Sequence, residues 1–361
     1  MELEFKHDFD AVAERWEEFW RGANQRPLIS AVIPRAGVIP VERPRYAAGA
    51  DGNFEPVINQ LLCWAETHEF LGEAIPFYYL EFGADHFAAL LGADLVFQEN
   101  EPGGWAVPFV KDLDAAEVRF QSAGKWWQRT VEFAEALRER CDGRLLIASN
   151  TLVANLDALA AIRGTQNLLI DMVERPDAVH RALGQITEAH EEILAALGEL
   201  LDYSSYGSID RHGMYSRGRI NVPQCDFSCM ISPEVFREFA LPYLQEEMRR
   251  LDAVEYHLDG PGATGHLDAL CEIDELDVVQ WVPGAGNAES QDWSWLYRRI
   301  DSLGKGQIRS GGAEQLRRLC QENRNRKLFF CLSAGSRAEV EDCLAQLETY
   351  APNNSIDIRK Q

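Results

Sequence analysis

Short apolar runs alternate along the chain with longer segments whose apolar positions recur at helical spacing. This alternation is typical of strand–helix units built around a parallel sheet. Strands are predicted at Leu28–Ile33, Pro76–Glu81, Leu145–Ala148, Tyr203–Ile209, Val254–Leu258, Val278–Val282, Gly306–Ile308 and Lys327–Cys331. Eight parallel strands are the number that closes a (β/α)8 barrel, so we predict an α/β protein with TIM-barrel architecture.

Amphipathic patterns predict the clearest helices at Trp126–Arg140, Pro176–Leu201 and Pro233–Leu251. The last two begin with a proline, which the first turn of a helix tolerates. Residues 1–25 carry apolar positions at helical spacing before the first predicted strand. We therefore expect a helical extension at the N-terminus of the barrel.

Two segments predict long loops, which in a barrel tend to lie over the active face. These are Arg35–Val57, rich in Gly, Pro and Arg, and Asn100–Pro108. No repeat, low-complexity tract or Gly/Ser linker divides the chain. The sequence thus predicts a single domain over residues 1–361.

The composition of the chain disfavours two classes of binding partner, nucleic acids and membranes. The chain is 46% hydrophobic and carries 35 Lys and Arg against 58 Asp and Glu, a formal net charge of −23. That charge repels phosphate backbones and anionic membranes, so neither nucleic acid nor membrane is an expected partner. The acidic start lacks the basic leader of a secretory signal, and no uncharged apolar run approaches the roughly 18 residues of a membrane span. We expect a cytoplasmic protein whose eight scattered cysteines are reduced thiols.

The most informative stretch is EYHLDGPGATG, which begins at Glu255. It places His257 at the end of a predicted strand and Asp259 two residues later, on the same side of that strand. A metal could bind there, although two ligands underdetermine a metal site. The alternative is that His257 is a hydrogen-bonded barrel histidine and that Asp259 forms an Asx turn or caps a helix.

The same stretch has the GxGxxG spacing of a dinucleotide loop. It lies late in the chain and contains Pro261, so we interpret it as a tight turn.

Three further residues follow or end predicted strands. Cys331 ends the run KLFFC, where its thiol could join His257 and Asp259 across the barrel mouth or simply pack. Trp281 could wall a substrate pocket or cap the barrel core. Asp226 precedes a helix that Ser232 is predicted to cap. It could contact substrate, act as a general acid or base, or order its loop.

Three blocks of sequence carry a family resemblance: RPLISAVIPRAG, CDFSCMISPEVFREFALPYLQE and YHLDGPGATGHLDAL. Together they resemble the uroporphyrinogen decarboxylase superfamily, which includes corrinoid and coenzyme M methyltransferases. The resemblance extends from about Arg26 to about Leu347. It implies a (β/α)8 barrel with its site at the carboxyl ends of the strands, and the superfamily often forms dimers, so we expect a homodimer.

In the methyltransferase branch of this superfamily, zinc is held by a histidine, a cysteine two residues later and a second cysteine at a later strand end. Position by position, the resemblance places His257 on the histidine, Asp259 on the first cysteine and Cys331 on the second. Asp259 departs from the family pattern. Its carboxylate keeps the charge of a thiolate but makes the site harder and more oxygen-seeking, which favours an oxygen or amine methyl compound as substrate.

The function that the resemblance implies is methyl transfer between a small methylated substrate and a corrinoid on a separate protein, because this chain shows no corrinoid-binding domain. True decarboxylases of the superfamily use several arginines near Arg35 to grip a polycarboxylate. Here only Arg35 is present in that block, so decarboxylation without metal ranks second. A barrel that binds a small molecule without catalysis is a third possibility.

Geometry alone gives one last expectation. Candidate residues at the ends of different predicted strands should surround one cavity on a single barrel face, with His257 nearest its centre and Asp226 on the substrate side. The candidate set is Arg35, Asn150, Asp226, His257, Trp281 and Cys331. Arg35, Asn150 and Trp281 are the expected substrate contacts.

Overall fold

The chain folds into a mixed α/β structure around a largely parallel sheet. The structure, a computed structural model, describes residues 2–98, 103–284, 291–322 and 325–348. The strands are β1 Leu28–Pro34, β2 His68–Gly72, β3 Phe77–Tyr79, β4 Leu95–Phe97, β5 Gly104–Ala106, β6 Leu146–Ala148, β7 Ser208–Ile209, β8 Tyr215–Ser216, β9 Ile220–Asn221, β10 Ala253–Asp259, β11 Val278–Val282, β12 Gly306–Gly311 and β13 Leu328–Leu332. The helices are α1 Phe9–Trp20, α2 Phe54–Thr67, α3 His86–Leu90, α4 Lys125–Cys141, α5 Asn155–Arg163, α6 Thr165–Glu174, α7 Pro176–Leu200, α8 Tyr203–Tyr206, α9 Pro233–Phe239, α10 Leu241–Met248, α11 Leu267–Cys271, α12 Ser294–Ser302, α13 Ala313–Glu322 and α14 Arg337–Glu348.

Hydrogen bonding divides these strands into one large sheet and three pairs. The large sheet has the order β2-β1-β13-β12-β11-β10-β9, and every neighbouring pair in it is parallel except β1 and β2. Strand β3 pairs in parallel with β6, while β4–β5 and β7–β8 are antiparallel pairs. Within the described residues the sheet therefore does not close. The structure shows a mixed α/β fold with a parallel central sheet, and not the predicted closed (β/α)8 barrel.

Alternation along the strands sorts apolar side chains into separate cores. One core gathers residues from several strands, among them Leu28, Phe77, Leu146, Val278 and Phe329, and it also contains the apolar face of α1. The helical extension predicted for residues 1–25 is thus α1, packed against this inner core. The opposite faces of β3, β10 and β11 pack against helices in a second, larger core, the outer core, and those of β1 and β13 pack against α13 and α14 in a third core.

Two predicted elements were wrong in detail. The predicted strand Tyr203–Ile209 is a helical turn followed by the two-residue strand β7, because Asp202 adopts a left-handed φ of 53° and its carbonyl accepts from the backbone of Ser205 and Tyr206. The predicted helix Pro233–Leu251 divides into α9 and α10 at Ala240. Pro242 has no N–H to continue the hydrogen-bond ladder there.

The two predicted loops also contain regular structure. A 3-10 turn at Tyr46–Gly49 interrupts the segment Arg35–Val57, and α2 begins within it. In the segment Asn100–Pro108, strand β5 occupies Gly104–Ala106, and residues 100–102 lie outside the described residues. No helix in the described part of the chain combines the length and the apolar character that a bilayer span requires.

Glu73 ties α1 to the first strands and supports a stability prediction. Its side chain is fully buried. Oε1 accepts from Arg15 Nε at 2.6 Å and Arg26 Nη2 at 2.8 Å, and Oε2 accepts from Ile29 N at 2.7 Å. Glu73→Gln removes the charge that both guanidiniums share, and we expect it to lower the free energy of unfolding by about 2 kcal/mol.

Urea unfolding monitored by circular dichroism measures this change. Glu132→Gln is the matched control, because Glu132 is 59% exposed and pairs with Arg129 on the surface of α4. It should shift stability by less than about 0.5 kcal/mol. Equal shifts in the two variants would show that the buried Glu73 pair contributes no more than a surface pair.

Candidate metal centre

Strand β10 presents three titratable side chains on one face. Glu255, His257 and Asp259 alternate with Tyr256 and Leu258, which are buried in the outer core with the helices. His257 and Asp259 therefore lie on the same side of the strand, as the sequence indicated. A parallel sheet brings the carboxyl end of β10 beside the ends of its neighbours, so groups on those strands can reach the same space.

His257 is held by the neighbouring strand. Its register partner on β11 is Gln280, whose Oε1 forms a short hydrogen bond with His257 Nδ1. A carboxamide oxygen only accepts, so Nδ1 carries the proton and Nε2 keeps a free lone pair. Burial, together with the charge of Arg211, lowers the pKa of His257 to about 3. The imidazole is thus neutral at physiological pH, the form that binds a metal, and its second nitrogen is oriented by a partner as in known metal sites.

Asp226 completes a group of three around this imidazole. One ligand atom from each of Asp226, His257 and Asp259 lies within 4.8 Å of the other two, and all three residues are half-buried. Asp226 begins a 3-10 turn at Asp226–Met230. Asp157 positions it by accepting from its backbone N–H at 2.8 Å, and Gln224 Nε2 donates to Asp226 Oδ2 at 3.0 Å.

The carboxylates of this group are incompletely satisfied. Oδ1 of Asp226 and Oδ1 of Asp259 are buried without a hydrogen-bond partner among the described residues. Burial, followed by the charges of Asp157 and Asp259, raises the pKa of Asp226 to about 8, and burial also raises the pKa of Asp259. Both shifts mean that the ionised pair is costly without a compensating charge. Two unpaired carboxylate oxygens and a free imidazole nitrogen fit a divalent cation, with donors that zinc accepts.

Sequence analysis missed Arg211, the cation among these acids. Burial lowers its pKa, but Tyr79, Glu81, Glu255 and Asp210 outweigh that effect and raise it. The same guanidinium partly opposes the rise in the pKa of Asp226 and Asp259. Arg211 follows the two-residue strand β7 in a turn, and no periodicity in the sequence marks that position. Gln280 was also missed, because its position opposite His257 depends on the register between β10 and β11.

A second buried cluster lies on the β3 and β6 side of Arg211. Tyr79 donates a short hydrogen bond to Glu81 Oε2, its hydroxyl lies 2.7 Å from Thr151 Oγ1, and Thr151 N donates to Glu81 Oε2 at 3.0 Å. Burial raises the pKa of Glu81 to about 7, against the opposing effects of the Tyr79 hydrogen bond and Arg211. This cluster adds another acid to the surroundings of the guanidinium.

The structure brings together only part of the predicted set. Asp226 and His257 converge, while Arg35 is exposed in the turn after β1. Asn150 is fully buried after β6, beside Thr151, with its Oδ1 unpaired among the described residues. Trp281 lies on the opposite face of β11 from Gln280 and packs against Trp293, with ring centroids 4.9 Å apart.

Cys331 lies outside the His257 group. It shares the inner side of β13 with Phe329, and burial, then the charges of Glu255 and Asp210, raises its pKa to about 12. Its thiol is therefore protonated and lies on the Glu255 side of the site. The glycine-rich stretch after Asp259 forms a 3-10 turn at Pro261–His266, consistent with the tight turn that we predicted.

Comparison with known proteins gives a structural likeness and no sequence match. No protein-family model matches the sequence, and no curated protein matches it. Among solved structures, the chain is similar to a methyltransferase from Methanosarcina mazei, with a TM-score of 0.59 and 13% identity, over 94% of this chain and 99% of that one. A B12-independent methionine synthase from a Shewanella species matches 60% of this chain and 65% of its own at a TM-score of 0.35 and 11% identity, too distant to carry an argument. At this identity the first likeness shows the fold alone.

Proposed function

We propose that the chain is a metal-dependent methyltransferase of the uroporphyrinogen decarboxylase superfamily, acting between a small methylated substrate and a corrinoid on a separate protein. The observation that carries the proposal is the convergence of Asp226, His257 and Asp259, with unpaired carboxylate oxygens, at the carboxyl ends of parallel strands. A site at that end of the strands is the arrangement expected of a (β/α)8 barrel. The inner core, which draws side chains from β1, β3, β6, β10, β11 and β13, supports such a barrel as part of the proposal.

The three residues would hold zinc, or another divalent cation that accepts nitrogen and oxygen donors. When bound, the cation would act as a Lewis acid and lower the pKa of a bound thiol or water by several units. That group would then be deprotonated, and so nucleophilic, at neutral pH. Gln280 fixes the imidazole of His257, and Asp157 fixes the backbone of Asp226. The positive charge of Arg211 would compensate part of the negative charge of the acids that face the substrate.

Charge also favours methyl transfer over decarboxylation of a polycarboxylate. The acids around Arg211 include Glu81, Asp226, Glu255 and Asp259, and they would repel a substrate that bears many carboxylates. A neutral or cationic methylated oxygen or amine compound suits this surrounding better. The proposal includes two partners: the corrinoid protein that exchanges the methyl group, and a second copy of this chain in a homodimer.

The test is metal content and methyl transfer in one preparation. Protein purified without chelators should hold at least one equivalent of zinc, and it should transfer methyl groups to cobalamin from at least one member of a panel of methylated amines, ethers and thiols. Asp259→Asn should lower both, because it removes a charged donor. Asp268→Asn is the control, since Asp268 is an exposed partner of Arg299. Less than a tenth of an equivalent of metal would rule out the metal centre, and metal without turnover on the panel would favour a decarboxylating or binding role.

A further inference from the structure

A second group of potential ligands lies next to the His257 group and holds no metal in the proposed function. Asp210 and His212 belong to the turn that follows β7, and Glu255 lies on β10, two residues before His257. One ligand atom from each of the three lies within 4.8 Å of the other two. His212 Nδ1 is 2.8 Å from Glu255 Oε1, although their orientation does not form a hydrogen bond.

The donor atoms of this group are buried, and their close contacts are with one another: His212 Nδ1 with Glu255 Oε1, and the carboxyl group of Asp210 with that of Glu255. Glu255 is 0% exposed and Asp210 is 4% exposed. Both carboxylate oxygens of Glu255, Oδ2 of Asp210 and Nδ1 of His212 have no hydrogen-bond partner among the described residues. Each such buried polar atom costs about 1–3 kcal/mol when nothing satisfies it. Because one ligand atom from each of the three residues lies within 4.8 Å of the other two, these buried atoms indicate a bound group that the described residues do not supply.

A shared proton is the simplest alternative to a cation. One proton between the carboxyl groups of Asp210 and Glu255 would satisfy one oxygen of each and leave the other Glu255 oxygen and His212 Nδ1 unpaired. A divalent cation can accept all four atoms. Two carboxylates and one imidazole are also a donor set that Zn²⁺ and Mn²⁺ accept.

The charge of the group favours a bound cation. Asp210 and Glu255 supply two negative charges when ionised, and the nearby Arg211 supplies one positive charge. The remaining negative charge is buried, where uncompensated charge is expensive. The backbone N–H groups of His212 and Met214, each 2.9 Å from Asp210 Oδ1, hold the Asp210 carboxylate in place and leave Oδ2 directed at the group.

We propose that Asp210, His212 and Glu255 form a second divalent-cation site, separate from the His257 group, so that the chain binds two cations. Residues two apart on a strand are separated by about 7 Å, so Glu255 and His257 place the two sites side by side along β10. Each site has its own side-chain donors. The two occupancies are therefore separable by mutation.

The experiment counts bound metal in the full-length chain. Protein freed of metal with chelator is loaded with Zn²⁺ or, separately, Mn²⁺, dialysed and measured by elemental analysis. We expect two equivalents in the wild type, one in Glu255→Gln and one in Asp259→Asn. His212→Gln, in the more exposed turn, is a second variant should Glu255→Gln fail to fold, as judged by near-ultraviolet circular dichroism. Glu247→Gln is the matched control, because Glu247 is equally buried but accepts a hydrogen bond from Asn155, and it should retain two equivalents.

The outcomes separate this site from the proposed function. One equivalent in the wild type, lost in Asp259→Asn and retained in both Glu255→Gln and His212→Gln, overturns the second site and leaves the His257 centre intact. One equivalent lost only in the Glu255 and His212 variants supports the second site and contradicts the His257 centre. No bound metal in the wild type overturns both.

Discussion

Replacing His257 with alanine is expected to abolish methyl transfer and to empty the His257 site while the chain remains folded. The imidazole supplies the nitrogen donor of the group, and no other described nitrogen ligand lies within that group. Lewis-acid catalysis contributes several kcal/mol, so its loss should reduce turnover by at least about a hundredfold. His257 is half-buried near the carboxyl end of β10, four residues beyond Ala253, which packs in the inner core. The thermal midpoint should therefore change little.

Metal analysis, turnover and circular dichroism on the same preparation test this expectation. Gln280→Glu is the control variant, because its carboxylate still accepts from His257 Nδ1 and keeps Nε2 free. It should retain metal and most of the activity. An alanine variant that unfolds while keeping its metal would show that His257 is structural and that the site assignment fails.

Replacing Arg211 with methionine is expected to destabilise the metal-free protein strongly, and more at pH 8 than at pH 5.5. Removing one partner of a buried ionic group costs about 3–5 kcal/mol. Burial raises the pKa of both Glu81 and Glu255 to about 7. At pH 5.5 these acids are protonated in the folded chain, so the lost guanidinium matters less. At pH 8 these acids are ionised in the wild type, where Arg211 compensates their charge, and the variant loses that compensation.

The direction of the pH effect follows from linkage. A carboxyl group whose pKa is higher in the folded than in the unfolded chain favours folding at low pH, and that contribution is lost as the pH rises through the folded-state value. Arg211→Met raises the folded-state pKa of the neighbouring acids further, so its penalty should grow between pH 5.5 and pH 8. Urea unfolding at the two pH values measures the difference. Arg211→Lys keeps the charge and should lose less, whereas an equal penalty at both pH values would show that packing, and not charge, explains the effect.

The inner and outer sides of the strands follow from the sequence because alternation is a local property. Seven of the eight predicted strands coincide with observed strands, and the period of two along β10 is enough to place His257 and Asp259 on one side of that strand. The prediction over Tyr203–Ile209 shows the limit of that reasoning. Its aromatic and apolar residues resemble a strand, but the left-handed Asp202 starts a helical turn.

The composition of the site was decided by tertiary structure. His257 and Asp259 are near in sequence, whereas Asp226 joins them through the packing of its turn against Asp157. Which face of β11 a residue occupies depends on its register with β10, and that register places Gln280 at His257 and turns Trp281 toward Trp293. Sequence periodicity cannot give that choice, because a one-residue shift exchanges the two faces of a strand.

Arg211 and the acids around it show the same division between sequence and structure. The sequence by itself determined that the chain is acidic, that it alternates strands with helices and that His257 and Asp259 share a strand face. Only the tertiary structure decided that Glu81, Asp210 and Glu255, from three separate segments, lie near enough to one guanidinium to shift its pKa. The physical reason is distance along the chain: local patterns fix which side of a strand a residue occupies, but the burial and charge that shift a pKa arise from groups brought together by folding.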